Sequence, residues 1–256
     1  MRHISVAAAC AALLAVAGCE TMKAVDTSGL MNAGGTAAKA LTLSDGEITA
    51  MSEQSCAAMD QKNQLAAANS TYTTRLNQLV RSMPDAINGK PANYKVYVTK
   101  EVNAWAMANG CIRVYSGLMD LMNDDELRGV IGHEIGHVAL GHSKSQMQAA
   151  YGASAVRMAA GAAGGVVGAL SQSQAGELAE KFVNAQFSQA QESAADNYAF
   201  DLLTERKLER KGLITGFQKL AAQSGPEGIS LLNSHPPSGA RAAAMQKRLD
   251  AATKAR

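Results

Sequence analysis

Asn123-Asp124-Asp125-Glu126-Leu127-Arg128-Gly129-Val130-Ile131-Gly132-His133-Glu134-Ile135-Gly136-His137 is the stretch on which the reading of this 256-residue chain turns. It opens with a side chain able to cap a helix and with three acids in the first turn, where the helix dipole favours negative charge. At about 3.6 residues per turn, Leu127, Val130, Ile131, Ile135 and Val138 form one apolar stripe. His133 and His137 lie along its margin one turn apart, so both imidazoles can reach one point. Glu134 is about 100° around from His133 and can approach the same cleft. Gly129, Gly132 and Gly136 cluster on the opposite side, each costing about 1 kcal/mol against Ala in a helix. That cost is reasonable only if another backbone packs closely there, which predicts a buried helix.

His-Glu-x-x-His on a helix has the spacing by which zinc takes two neutral imidazoles and one further protein ligand, leaving a position for water. Glu134 then has the place of a general base, drawing a proton from that water and later delivering one to a leaving amine. The chemistry implied is peptide hydrolysis without an acyl-enzyme. A third ligand must come from elsewhere in the chain. His142 is near, but on a continuing helix it would be turned about 140° from His137, and its spacing does not fit the extended three-histidine motif, so it is expected to be structural. Gln191-Glu192-Ser193-Ala194-Ala195-Asp196 puts two acids four apart on one flank of a helix whose apolar stripe is Phe187, Ala194, Tyr198 and Leu202. A solvated face has the same spacing, and periodicity does not choose between the two readings.

Ahead of the motif the chain reads as a helical layer followed by a small sheet. Ser44-Asp45-Gly46-Glu47 has the spacing of a capping box and predicts a helix running to Leu65, and a second helix is expected over residues 70–83. Pro84, Asn88-Gly89 and Pro91 interrupt the pattern. Tyr94-Lys95-Val96-Tyr97-Val98 then alternates as a strand does, and two more strands, 102–107 and 111–115, flank the turn-forming pair Asn109-Gly110. Most of the remainder is helical, which makes the fold class α+β, mostly helical. The tract 149–170 is rich in Ala and Gly, but Arg157 and the shortness of the apolar part after it argue against a membrane span. It is expected to be a small-residue packing surface rather than a flap.

The first residues belong to another class of signal. Met1-Arg2-His3 is a short basic start, residues 4–17 form an apolar run, and Val16-Ala17-Gly18-Cys19 ends it with small residues before a cysteine. This resembles a bacterial lipoprotein signal, which implies a leader over 1–18, cleavage before Cys19, acyl chains such as palmitate on that residue, and a stable membrane anchor. Glu20 is not the aspartate that retains similar lipoproteins at the inner membrane, so the periplasmic face of the outer membrane is favoured over that of the inner one. Residues 19–43 suit a flexible tether, and 44–256 would form one domain. Cys10 leaves with the leader. Cys56 and Cys111 then remain as an even pair in an oxidising compartment, where a disulfide would stabilise by about 4 kcal/mol in the chain-entropy model.

Composition agrees with one helix-rich domain: 47% hydrophobic residues but only 4% aromatic, with 23 Gly and 12 Met. Lys+Arg 24 against Asp+Glu 22 leaves a net charge of +2, too balanced for a nucleic-acid surface.

Four stretches occur in the order of a known family: Asn103-Ala104-Trp105-Ala106, the motif 133–137, Glu192 through Asp196, and His235-Pro236-Pro237 through Arg241. Over roughly residues 44–248 the chain resembles a gluzincin, of the zinc metallopeptidase family that includes CAAX prenyl endopeptidases, HtpX-like peptidases and Oma-type mitochondrial proteases. The resemblance implies a zincin-like domain with one zinc ion, held by His133, His137 and Glu192, and with Asp196 orienting a ligand histidine without touching the metal. It also implies that the strand carrying Asn103, Ala104, Trp105 and Ala106 borders the cleft and pairs with extended substrate. His235 would stabilise the oxyanion or take the metal's open position, and Arg241 would tie that segment down. The function implied is periplasmic quality control, with unfolded or extended envelope proteins as substrates and other envelope proteins as partners. A competing reading is a lipid-anchored chaperone or assembly factor for outer-membrane proteins with a structural or latent zinc. Glu134 argues against it, because a structural zinc needs no adjacent base.

Overall fold

Ser44 opens the first helix of the computed structural model, which describes residues 42–159, 170–222, 230–236 and 239–254. The leader, Cys19 and residues 20–41 of the expected tether lie outside the described residues, as do 160–169 of the Ala/Gly tract. The Ser44 hydroxyl accepts the Glu47 N–H while the Glu47 carboxylate accepts the Ser44 N–H, and this capping box starts α1 (Asp45–Lys62). The helix stops three residues short of the expected end, because Leu65 turns out to bridge Tyr97. Helix α2 (Thr71–Val80) follows, capped by Ser70.

Where the sequence showed only a break, the structure has a two-residue hairpin. Strands β1 (Ala86–Ile87) and β2 (Lys90–Pro91) pair around Asn88 and Gly89, whose φ values of 50° and 76° suit the twist of a tight hairpin turn. The Asn88 side-chain amide donates to the carbonyls of Val138 (3.1 Å) and Ala139 (3.2 Å), at the far end of the motif helix. The main sheet contains β3 (Asn93–Tyr97), β4 (Ala104–Ala106) and β5 (Cys111–Tyr115) in the order β3-β5-β4. β3 runs parallel to β5, and β4 runs antiparallel to it through the expected Asn109-Gly110 turn. Gly110 has φ +82°, and a Cβ there would lie 2.6 Å from the Pro91 carbonyl oxygen.

The remainder is helical: α3 (Ser116–Leu121), α4 (Asp124–Ala139), α5 (His142–Ala159), α6 (Gln172–Asn184), α7 (Gln189–Glu205), α8 (Lys211–Ala222), α9 (Ser230–Ser234) and α10 (Gly239–Lys254). The protein is therefore α+β and mostly helical, as its patterns predict. Among the described residues no helix is long and apolar enough to cross a membrane.

Strand alternation divides the interior in two. Val96, Ala104, Ala106, Ile112 and Val114 face α4, α7 and α8. Tyr97, Trp105, Met107, Cys111 and Tyr115 face the other way, toward α1 and α6, with Met51 and Phe182 among their neighbours. Cys56 of α1 is joined to Cys111 of β5 by a disulfide, with Cα atoms 6.5 Å apart. Beside it the buried Arg113 guanidinium donates to both oxygens of Asp60 (2.8 and 3.0 Å), which also accepts from Tyr97 and Lys95.

Helix α4 runs through the centre, and from Glu126 to Val138 every residue except Arg128 is buried. Its glycine side is pressed against neighbouring backbone: a Cβ on Gly129 would lie 2.7 Å from Leu213 Cα, and one on Gly136 would lie 3.0 Å from the Ala195 carbonyl oxygen. Close approach to α8 and α7 is what those glycines permit, and α7 carries the two acids to the motif.

Candidate metal centre

Asn123 accepts the Glu126 N–H and Glu126 accepts the Asn123 N–H, each at 2.9 Å, so α4 starts in a capping box. From that fixed start the helical period carries His133 and His137 to one side. Their Nε2 atoms lie 3.0 Å apart. Helix α7 brings Glu192, whose Oε1 is 3.2 Å from His137 Nε2 and whose Oε2 is 3.6 Å from His133 Nε2. His235, just past α9, completes the group with Nδ1 3.2 Å from His133 Nε2 and 3.0 Å from Glu192 Oε1. The four buried residues offer ligand atoms that all lie within 4.8 Å of one another.

Asp196, one turn beyond Glu192, faces the opposite edge of His133: its Oδ1 is 2.9 Å from Nδ1. The Nδ1–H of His133 donated to that carboxylate leaves Nε2 with a bare lone pair. Lone pairs and a carboxylate converging in a buried space repel one another unless a cation sits among them, and imidazole with carboxylate is a donor set that suits a divalent metal. The residues present fit a metal ion.

Arg241, from α10, donates to Asp196 Oδ2 and Oδ1 (2.6 Å each), to the Pro236 carbonyl (3.2 Å) and to Glu192. It therefore ties both acids to the segment carrying His235. Burial pushes the Glu192 carboxyl upward, but hydrogen bonds from His137 and His235 outweigh it and hold the group far below its ordinary range. Asp196 is likewise lowered, burial being overcome by Arg241 and His133. Burial drives His137 well below its usual value, toward the neutral ring a metal needs.

Glu134 is different. Burial raises its carboxyl, and Oε1 has no hydrogen-bond partner among the described residues, with His235 Nε2 3.4 Å away. A carboxylate so placed can take up a proton. Beside it lies a largely apolar cavity of about 120 Å³ lined by residues that include Val130, Phe217, Leu231 and Leu232.

Strand β4 borders the centre. Trp105 and Ala106 line a small cavity together with Glu134, Phe187 and His235. Bonds from Tyr115 N–H to Asn103 O and from Met107 N–H to Cys111 O turn those main-chain groups toward β5. By alternation the N–H and C=O of Ala104 and Ala106 face away from it. Asn103 Oδ1 accepts the Ala104 N–H (2.9 Å), and Ser143 Oγ donates to Ala106 O (2.8 Å). The Trp105 indole packs into the second core and donates to the Tyr115 hydroxyl at 3.3 Å.

One sequence expectation needs correcting in its geometry. The helix does not continue through His142: it ends at Ala139, Gly141 takes φ +75°, and α5 begins afresh at His142. The ring therefore comes back toward the motif, with His142 Nδ1 3.0 Å from His137 Nδ1. Burial lowers His142 from its ordinary value. Gly141, a residue suited to ending a helix, is the sequence signal for the turn that brings His142 back. Phe187, expected in the apolar stripe of the helix that carries the two acids, instead precedes the Ser188 cap of α7 and stacks on His137 at 3.8 Å and 23°, while Phe217, which no sequence pattern singles out, lies edge-on to His133 at 5.8 Å.

Residues 70–249 match the family model described as peptidase family M48. The chain is 52% identical over 234 residues to metalloprotease LoiP of Escherichia coli (strain K12), spanning 91% of this chain and 92% of that protein. It is 49% identical over 232 residues to metalloprotease YcaL of the same strain, spanning 91% of each. A shorter likeness, 38% over 77 residues, joins 28% of the chain to 26% of protease HtpX of Thioalkalivibrio sulfidiphilus (strain HL-EbGR7).

Proposed function

The chain belongs to peptidase family M48 and is a metalloendopeptidase, and from that premise we propose that it is a zinc enzyme of the bacterial envelope that cuts unfolded or misassembled proteins. The observation that carries the reading is the convergence of His133, His137 and Glu192 beside a buried Glu134 oxygen that has no hydrogen-bond partner among the described residues. In it, His133, His137 and Glu192 hold the metal, and Asp196 orients His133. A zinc ion held by these residues would act as a Lewis acid, making water acidic enough to attack near neutral pH and polarising the scissile carbonyl.

Glu134, one oxygen of which has no hydrogen-bond partner among the described residues, takes the proton of the attacking water and delivers it to the leaving amine. His235 stabilises the charge that develops on the carbonyl oxygen, held in place by Arg241 through the Pro236 carbonyl. Substrate lies along β4 in extended form, paired to the outward Ala104 C=O and Ala106 N–H, the two groups not engaged by Asn103 and Ser143, with Asn103 and Trp105 flanking it. The cavity beside Glu134 receives an apolar side chain, which suits chains that expose their cores. Cleavage of the leader over 1–18 and acylation of Cys19 would tether domain 44–256 to the periplasmic face of the outer membrane.

Casein incubated with the purified protein, with Glu134→Gln and with a chelated sample tests the enzyme. We expect zinc to be retained by Glu134→Gln while cleavage falls about 10²-fold to 10⁴-fold. Equal cleavage in all three samples would sink the reading. A Cys19→Ala chain that still fractionates with membranes would remove the lipid anchor.

A further inference from the structure

The two nitrogens of the His137 ring face different surroundings. Nε2 lies among the converging donors, 3.0 Å from His133 Nε2 and 3.2 Å from Glu192 Oε1. Nδ1 lies 3.0 Å from His142 Nδ1. A neutral imidazole has one N–H and one lone pair. A ring that turns its Nε2 lone pair to a cation must therefore carry its proton on Nδ1, where His142 is the group facing it. We infer that His142 is a positioning residue for His137: its Nδ1 accepts the Nδ1–H of His137, selecting the tautomer and fixing the ring edge that faces the metal. The inference rests on the metal-binding reading of His137 proposed above.

Phe187 alone does not do this. Stacking at 3.8 Å and 23° fixes the plane of the His137 ring, yet a 180° flip about its Cβ–Cγ bond keeps that plane, and so the stack, while exchanging which edge points at the cluster. A directed hydrogen bond at Nδ1 removes that freedom. His142 reaches the position because Gly141, at φ +75°, ends the motif helix and restarts the chain as α5 with His142 first. The pair also makes the two motif histidines unequal. His133 faces the Asp196 carboxylate with its Nδ1, whereas His137 would donate to another imidazole that draws less on its proton, so His137 would be the weaker electron donor to a bound metal.

The test uses the full chain stripped of metal, with Zn²⁺ affinity read by competition against a chromophoric chelator and with the absorption spectrum of the Co²⁺-loaded protein as a second readout. His142→Leu removes the acceptor, while His142→Asn keeps one, since an Asn Oδ1 falls close to the place of the histidine Nδ1. We expect His142→Leu to weaken Zn²⁺ binding about 10-fold to 100-fold and to shift the Co²⁺ bands, with His142→Asn within about threefold of the parent. Leu and Asn variants that bind equally, whether both weakly or both as the parent does, would overturn the inference. Thermal melting of the metal-free proteins follows folding, and His142→Phe replaces His142→Leu if that chain does not fold. Failure of the parent itself to bind Zn²⁺ would overturn the metal-site reading, an outcome distinct from equal binding by the two variants.

Discussion

Asp196 Oδ1 lies 2.9 Å from His133 Nδ1, on the side of the ring away from the converging donors. The same carboxylate is gripped by Arg241 through two bonds of 2.6 Å. Its orientation is thus set before any metal arrives, and the tautomer of His133 is set with it. Asp196→Asn, which can turn either an acceptor or a donor to the ring, is expected to lower Zn²⁺ affinity about 10-fold to 100-fold. Chelator competition on the metal-free protein measures it, and an unchanged affinity would contradict the orienting role.

Arg241 is buried between two acids whose carboxyls it helps to keep ionised. Replacing it with Met would leave Glu192 and Asp196 facing each other without their shared cation. A loss of about 3 to 5 kcal/mol is expected for the metal-free protein. Urea unfolding in the presence of a chelator reads this directly.

Asp60 offers a test by pH away from the metal centre. Burial pushes its carboxyl up, but the hydrogen bonds from Arg113 and Lys95 prevail and hold it below its ordinary value. A folded-state value below the unfolded one means that the stabilisation is complete above the unfolded value, about 3.9, and is lost as pH falls through the folded one. The difference in unfolding midpoint between the parent and Asp60→Asn should therefore be constant near neutrality and shrink below about pH 4. A gap that widened on acidification would show that the sign is wrong.

Gly129→Ala probes the contact that seats α4 against α8. The added methyl would fall 2.7 Å from Leu213 Cα, an atom of backbone that cannot rotate aside. Destabilisation of about 1 to 3 kcal/mol is expected from such overpacking. At Gly46, whose added Cβ would have only the Ser44 hydroxyl at 4.0 Å, the same substitution should be neutral or mildly stabilising, and comparing the two midpoints separates packing from helix propensity.

The start of α4 at Asn123, the hairpin at Asn109-Gly110 and the capping box at Ser44 were legible because each depends on a few neighbouring residues. The hairpin around Asn88-Gly89 shows in the sequence only as a break, since two-residue strands leave no alternating pattern. The order β3-β5-β4 was not legible either: a parallel pair joined past an intervening strand depends on which faces find burial, not on local pattern.

At the centre the division is sharper. The helical period by itself determined that His133 and His137 share a direction and that Glu134 stands beside them, because those positions are fixed within one rigid element. Which acid of α7 faces the Nε2 atoms and which the Nδ1 edge was decided only by how α7 lies across the glycine face of α4, placing Glu192 at one edge of the His133 ring and Asp196 at the other. No local pattern places His235 and Arg241 at the centre, where only the family resemblance put them in the sequence; packing brings them in from the end of the chain and turns His142 back at Gly141. Spacing along one helix is a covalent constraint, whereas convergence of separate elements is settled by the packing and burial that fold the whole chain.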